Sequence, residues 1–160
     1  MDGFLFALTL ATAVGAGLNG GFFFAFSNTV MEALGRQPPS QGAAAMQTIN
    51  ITVINPLFMT ALFGTGLASL VLIGWGLADL DEPYAGWLIA AGATYLVGII
   101  ATTIAYHVPR NNALAAVDPA GEEGARVWST YLVEWTRMNH VRTVAGLASA
   151  ALLAVALQAG

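Results

Sequence analysis

The chain has no cysteine and no lysine, and charge of either sign is scarce. Without cysteine there is no disulfide, no thiolate metal site and no sulfur nucleophile. All five basic residues are arginines, scattered between positions 36 and 142, so there is no basic stripe and nucleic acid is excluded as a partner. Only 9 % of the 160 residues are charged and 57 % are hydrophobic. A water-soluble domain needs roughly a quarter charged to cover its surface. The chain also lacks a Walker-type phosphate loop, a dinucleotide fingerprint and a Gly-x-Ser-x-Gly elbow. The N-terminus has no basic segment and its apolar stretch outruns a signal peptide, so it reads as a first membrane helix.

What is present is apolar sequence in long runs. Runs over about residues 4–31, 51–78, 84–106 and 141–159 predict four membrane-spanning helices. The expected fold is all-α: residues 1–160 form a single membrane domain, a four-helix transmembrane bundle. Short amphipathic helices are expected in its first and third connections. The first begins after Pro38-Pro39 with Ser40 as its N-cap, and the third runs from Glu122 through Trp128, Tyr131, Leu132 and Trp135. Gly15, Gly17, Gly20 and Gly21 in the first run suit close helix contacts, within the bundle or between protomers, so a homo-oligomer is one expected partner besides the bilayer. Tyr84 and Trp87 flank the acidic turn Asp79–Pro83 as an interfacial aromatic belt would. Every arginine falls in or beside the first and third connections, while the second connection and both termini have none. The positive-inside rule then puts those connections in the cytoplasm of a bacterium and both termini outside its plasma membrane.

Polar residues gather at the same arginine-bearing end. Gln47, Asn50 and Asn55 open the second run, Thr103, His107 and Asn111 close the third, and Trp135, Asn139, His140 and Arg142 lead into the fourth. Such groups near hydrocarbon are costly unless they pair or line a cavity, so their convergence marks a candidate site. Taken singly, each also reads as a cap or an interface anchor. Arg142 needs a counter-anion, for which Glu32 and Glu134 are candidates. His140 is the leading candidate for a general base, because imidazole titrates nearest neutrality. His107 and His140 with Glu32 or Glu134 would make a two-histidine, one-carboxylate metal set, but no tight ligand spacing supports it, and no metal is expected.

Three segments carry a resemblance. They are Ala44–Asn50 with Val53–Phe58, Val108–Leu114, and Trp128, Tyr131 and Trp135–Thr143, which contains Asn139-His140-Val141-Arg142-Thr143. In this order they resemble the DUF1772, or anthrone oxygenase-like, family of small four-helix membrane proteins, from about Gly17 to the last run. The resemblance implies oxidation of an apolar aromatic, an anthrone, to a quinone, with molecular oxygen as co-substrate and no flavin or haem. Matched by position, it implies His140, Arg142, Asn139 and Asn50 as catalytic, His140 being the base. Gln47, Asn55, Asn111, Trp135 and His107 would bind substrate. His107 and Glu32 depart from the family pattern, which has Asn and Pro there. Two other readings stand beside the oxygenase: a non-catalytic membrane subunit or binding module, and a small transporter. An enclosed pocket favours the enzyme, an open groove the module, and a continuous polar path the transporter.

Overall fold

The computed structural model describes residues 1–160, which are helical with no strand. Five helices follow in order: α1 (Gly3–Gly35), α2 (Pro39–Thr52), α3 (Pro56–Ala78), α4 (Ala85–Ala115) and α5 (Glu122–Ala159). All but α2 are long and apolar enough to cross a bilayer, which makes this an integral membrane protein. They form an up-and-down bundle in which α1 packs on α3 and α5, and α4 on the same two from the other side. The outer surface carries large apolar side chains, including Val14, Leu67, Val97 and Val144, each about two-thirds exposed. Such a belt suits lipid and not water.

Lipid supplies no hydrophobic drive between helices, so close approach and hydrogen bonds must hold the bundle together. α1 and α5 cross at glycines. A Cβ on Gly146 would lie 2.7 Å from the Gly20 Cα, and one on Gly20 would lie 3.0 Å from the Leu147 nitrogen. Gly146→Val is therefore expected to force the helices apart and cost about 1–3 kcal/mol. A lowered melting midpoint in detergent would register this; an unchanged midpoint would contradict the crossing. Away from the arginines the bundle is closed by a cluster that includes Leu5, Leu72, Leu88 and Leu153.

The element boundaries differ from those the sequence suggests, for physical reasons. Ser40 is not the cap of α2: Pro38 holds that position and Pro39 opens the helix, its fixed φ suiting the first turn. The second span starts at Pro56, because Asn55 leaves the helical region and caps α3 by accepting from the Phe58 N–H at 3.0 Å. α4 runs through Pro109 to Ala115 instead of ending near Tyr106. The turn before that proline, Thr103–His107, is widened to i→i+5 bonding, which absorbs the missing donor. The amphipathic helix of the third connection is continuous with the fourth span, giving a single 38-residue helix. Tyr84 turns inward against the leucine cluster, while Trp87 is exposed.

Widened turns recur in three of the four spanning helices. They occupy Phe26–Val30 in α1, Thr60–Gly64 in α3, and Leu96–Ala101 and Thr103–His107 in α4. Each disturbs the normal ladder, and in a bilayer the freed carbonyls must find other donors. The Asn19 amide donates to the Ala61 carbonyl (3.0 Å) and the Tyr95 hydroxyl to that of Leu62 (2.9 Å). Thr102 donates to Val97 (3.1 Å), and Asn139 to Phe23 (2.7 Å). Removing one such donor, as in Tyr95→Phe, is expected to destabilise by about 1 kcal/mol. A titration with denaturing detergent measures it, and an unchanged midpoint would mean that the Leu62 carbonyl finds another partner.

Candidate active site

Three of the four widened turns, all but Leu96–Ala101, border a cavity of about 210 Å³ between α1, α3, α4 and α5, roofed by α2. Most of its wall is apolar, with Phe22, Phe23, Phe26 and Phe58 on one side. The polar groups in that wall are few: Asn50, Thr103, His107, Asn111 and Arg142, beside Trp135. An apolar cavity with a handful of convergent polar groups is the usual form of a small-molecule site.

Arg142 is the unusual group. It is 5 % exposed, and no carboxylate pairs with it. Glu32 pairs instead with Arg36 and Glu134 with Arg110 (2.9 Å), so neither expected counter-ion reaches it. Both acids have exposed side chains and pair at the rim, and Arg142 sits deeper. Its guanidinium is held by neutral oxygens: Nε and Nη2 donate to the Asn139 Oδ1 at 3.1 and 2.7 Å, and Nη1 to the Thr103 hydroxyl at 3.3 Å. Asn139 is fixed in turn, its amide donating to the Phe23 carbonyl and the Ser27 hydroxyl, both at 2.7 Å. The cation also lies over the rings of Phe23 (4.1 Å) and Trp135 (5.0 Å). Ring faces and neutral oxygens soften the cost of burial but leave the charge uncompensated. With five N–H donors and three of them engaged, the guanidinium keeps donors for an anion in the cavity.

His107 stands on the other flank of Trp135, its ring edge-on to the indole at 5.0 Å. It is 1 % exposed, and neither ring nitrogen makes a hydrogen bond of good geometry. Buried polar atoms without partners are rare, and a ligand is one cause of them. Above Trp135, Asn111 Oδ1 accepts from the indole N–H (3.0 Å) and from the Tyr131 hydroxyl (2.8 Å). The Asn50 amide faces the same hydroxyl at 3.5 Å. Trp128, Tyr131 and Trp135 stack along α5 at 5.9 Å intervals.

Six of the nine residues singled out from the sequence thus border the cavity or brace it: Asn50, His107, Asn111, Trp135, Asn139 and Arg142. Three do not. Gln47 donates to the Leu114 and Val117 carbonyls and ends α4. Asn55 is the exposed cap of α3. His140 is exposed on the outer face of α5 and does not line the cavity. The two histidines are therefore not brought to one site, and no group of three His, Cys, Asp or Glu side chains comes together to hold a metal. The sequence reading missed the phenylalanine wall and Tyr131's part in the hydrogen-bond chain. The run Gly21-Phe22-Phe23-Phe24-Ala25-Phe26 was the available signal.

Fold and site together define a small helical membrane protein with a largely apolar cavity lined by one cation that no carboxylate pairs. The sequence profile of the anthrone oxygenases matches residues 51–152, which takes in α3, α4 and most of α5, with Trp135 and Arg142. The chain belongs to the anthrone oxygenase family. No curated protein and no solved structure matches it.

Proposed function

We propose that the protein is an oxygenase that converts an apolar aromatic ketone of the anthrone type to a quinone, using molecular oxygen and no bound cofactor. One observation carries this reading. At a single apolar cavity, a buried guanidinium without an acidic partner faces the same indole as a buried imidazole whose nitrogens make no hydrogen bond of good geometry. Family membership points to the same substrate class, while the base, standing where the family pattern has Asn, is assigned on this chain's own geometry.

The chemistry needs little more than those two groups. The central methylene of an anthrone is acidic because its anion is an aromatic enolate. His107 takes that proton, and Arg142 holds the oxygen on which the charge settles. The base role thus moves from His140, which the cavity does not reach, to His107. The enolate carbon bonds to oxygen, and the resulting peroxide is protonated. Loss of the second methylene hydrogen, with cleavage of the O–O bond, releases water and leaves the carbonyl. The balance is CH₂ + O₂ → C=O + H₂O, with the carbon supplying all the electrons, so no external reductant enters. Trp135 and the phenylalanines give the substrate a stacking surface, and the apolar bundle admits oxygen.

The leucine cluster closing the far half of the bundle favours a site over a through-path, and hence an enzyme over a transporter. By the positive-inside rule the arginine-bearing end faces the cytoplasm. The test is an assay of the purified protein on a panel of anthrones under ¹⁸O₂. The expected result is quinone formed above the uncatalysed rate, with a single labelled oxygen in each product molecule and no added cofactor. Background rates across the panel would reject this substrate class.

A further inference from the structure

We propose that the substrate reaches this site sideways from the bilayer, through a seam between α1 and α3 that the Phe22–Phe58 ring pair closes. The proposal rests on the reading of the site above. A second space of about 490 Å³ lies on the outer side of that seam. Its rim includes Leu18 and Leu57, which are 61 % and 83 % exposed on the lipid-facing surface. Phe22, Phe26, Ile49, Val53 and Phe58 line both spaces, so a single layer of side chains separates the outer groove from the cavity.

Two walls of the cavity are closed by different means, while a third, between α3 and α4, carries the exposed Ile54, Phe63 and Val108. Toward the arginine-bearing end, α2 is latched by hydrogen bonds. Gln47 is tied to the Leu114 and Val117 carbonyls at 2.8 and 3.0 Å, and Asn50 faces the Tyr131–Asn111 pair. Opening there exposes several polar groups at once. Toward lipid, the closure is two tilted rings with centroids 4.7 Å apart. Rotating a ring breaks only dispersion contacts, which lipid chains replace. Phe58 also stands in the first turn of α3, directly after the non-helical link Val53–Asn55, where the backbone has the most freedom to give. An anthrone, poorly soluble in water, is concentrated in the bilayer that bathes this groove. The outer space is the ante-chamber and Phe22–Phe58 the gate.

The absence of cysteine makes the test clean, because an introduced one labels alone. Leu57→Cys is placed on the groove rim, and Val144→Cys, 65 % exposed on α5, serves as control. Each is labelled with a bulky apolar maleimide in phosphatidylcholine nanodiscs. Binding of 1,8-dihydroxyanthrone under argon is followed by quenching of tryptophan emission, so that no turnover is needed. Labelled Leu57→Cys is expected to bind about tenfold more slowly or worse at unchanged equilibrium affinity, since a blocked path slows arrival and departure alike. Labelled Val144→Cys should bind as the unmodified protein does. Phe58→Ala should speed both arrival and departure. Equal rates in the two labelled proteins would overturn the lateral route while leaving the site intact. No quenching in the unmodified protein would overturn the site reading, and the route with it.

Discussion

Arg142→Gln is expected to lower kcat for anthrone oxidation by about 10²–10³, the usual cost of losing one strong oxyanion donor. The reasoning starts from burial. The guanidinium is 5 % exposed, with no carboxylate beside it, and its bonds to Asn139 and Thr103 leave donors turned to the cavity. The neutral ketone gains little from such a cation, whereas the enolate gains a full charge pair in an apolar setting. The loss therefore falls mainly on kcat and less on KM, because the interaction strengthens as the proton leaves. Arg142→Lys separates charge from geometry. It keeps the cation but not the fork that Asn139 grips through both Nε and Nη2, so intermediate activity is expected. Steady-state kinetics with a size-exclusion check on folding measures both. Wild-type kcat in a well-folded Arg142→Gln would remove the oxyanion role.

His107→Asn is expected to cost about 10²–10⁴ in kcat, the range that general bases contribute. Asparagine keeps a polar group of similar reach in the wall but cannot take a proton. Since neither ring nitrogen of His107 makes a hydrogen bond of good geometry, the exchange is expected to change stability by less than about 1 kcal/mol. By contrast, His140→Ala should leave the rate within a factor of about two, in the manner of an exposed substitution remote from the chemistry. The comparison assigns the base. A large loss at His140 and none at His107 would reverse the assignment.

The sequence made the membrane bundle legible because hydropathy over long runs is a strong signal, and four such runs are present. It also located the working end, since the amides, Trp135 and Arg142 cluster in the connections beside the arginines. What it obscured was helix phase. Separating the amphipathic helix of the third connection from a span that starts near Val141 cuts α5 in two, and the angular relation between Trp135, Asn139, His140 and Arg142 is lost. In the continuous helix, positions 128, 131, 135, 139 and 142 follow the spacing of one inward stripe, and each is buried. Position 140 lies about 100° round from 139 and faces out. The sequence placed His107 in the site but not in a helix, for a different reason. Pro109 reads as a helix end, which puts the histidine in a loop, whereas a widened turn carries α4 past the proline and points the ring inward. The phenylalanine-rich run 22–26 was visible, but not which of its rings line the cavity, because a phenylalanine in an apolar span looks the same whether it faces lipid or a cavity.

The central claim is that Arg142 and His107 act on one bound aromatic as cation and base. It is tested most directly by mixing the protein with an anthrone under argon and recording the visible spectrum. Without oxygen the reaction stops at the enolate, whose absorption lies to the red of the ketone's. The expected result is an enolate band that saturates at one equivalent per chain and is lost in both His107→Asn and Arg142→Gln. An anthrone that stays neutral in the presence of the protein, or a band that survives both substitutions, would contradict it.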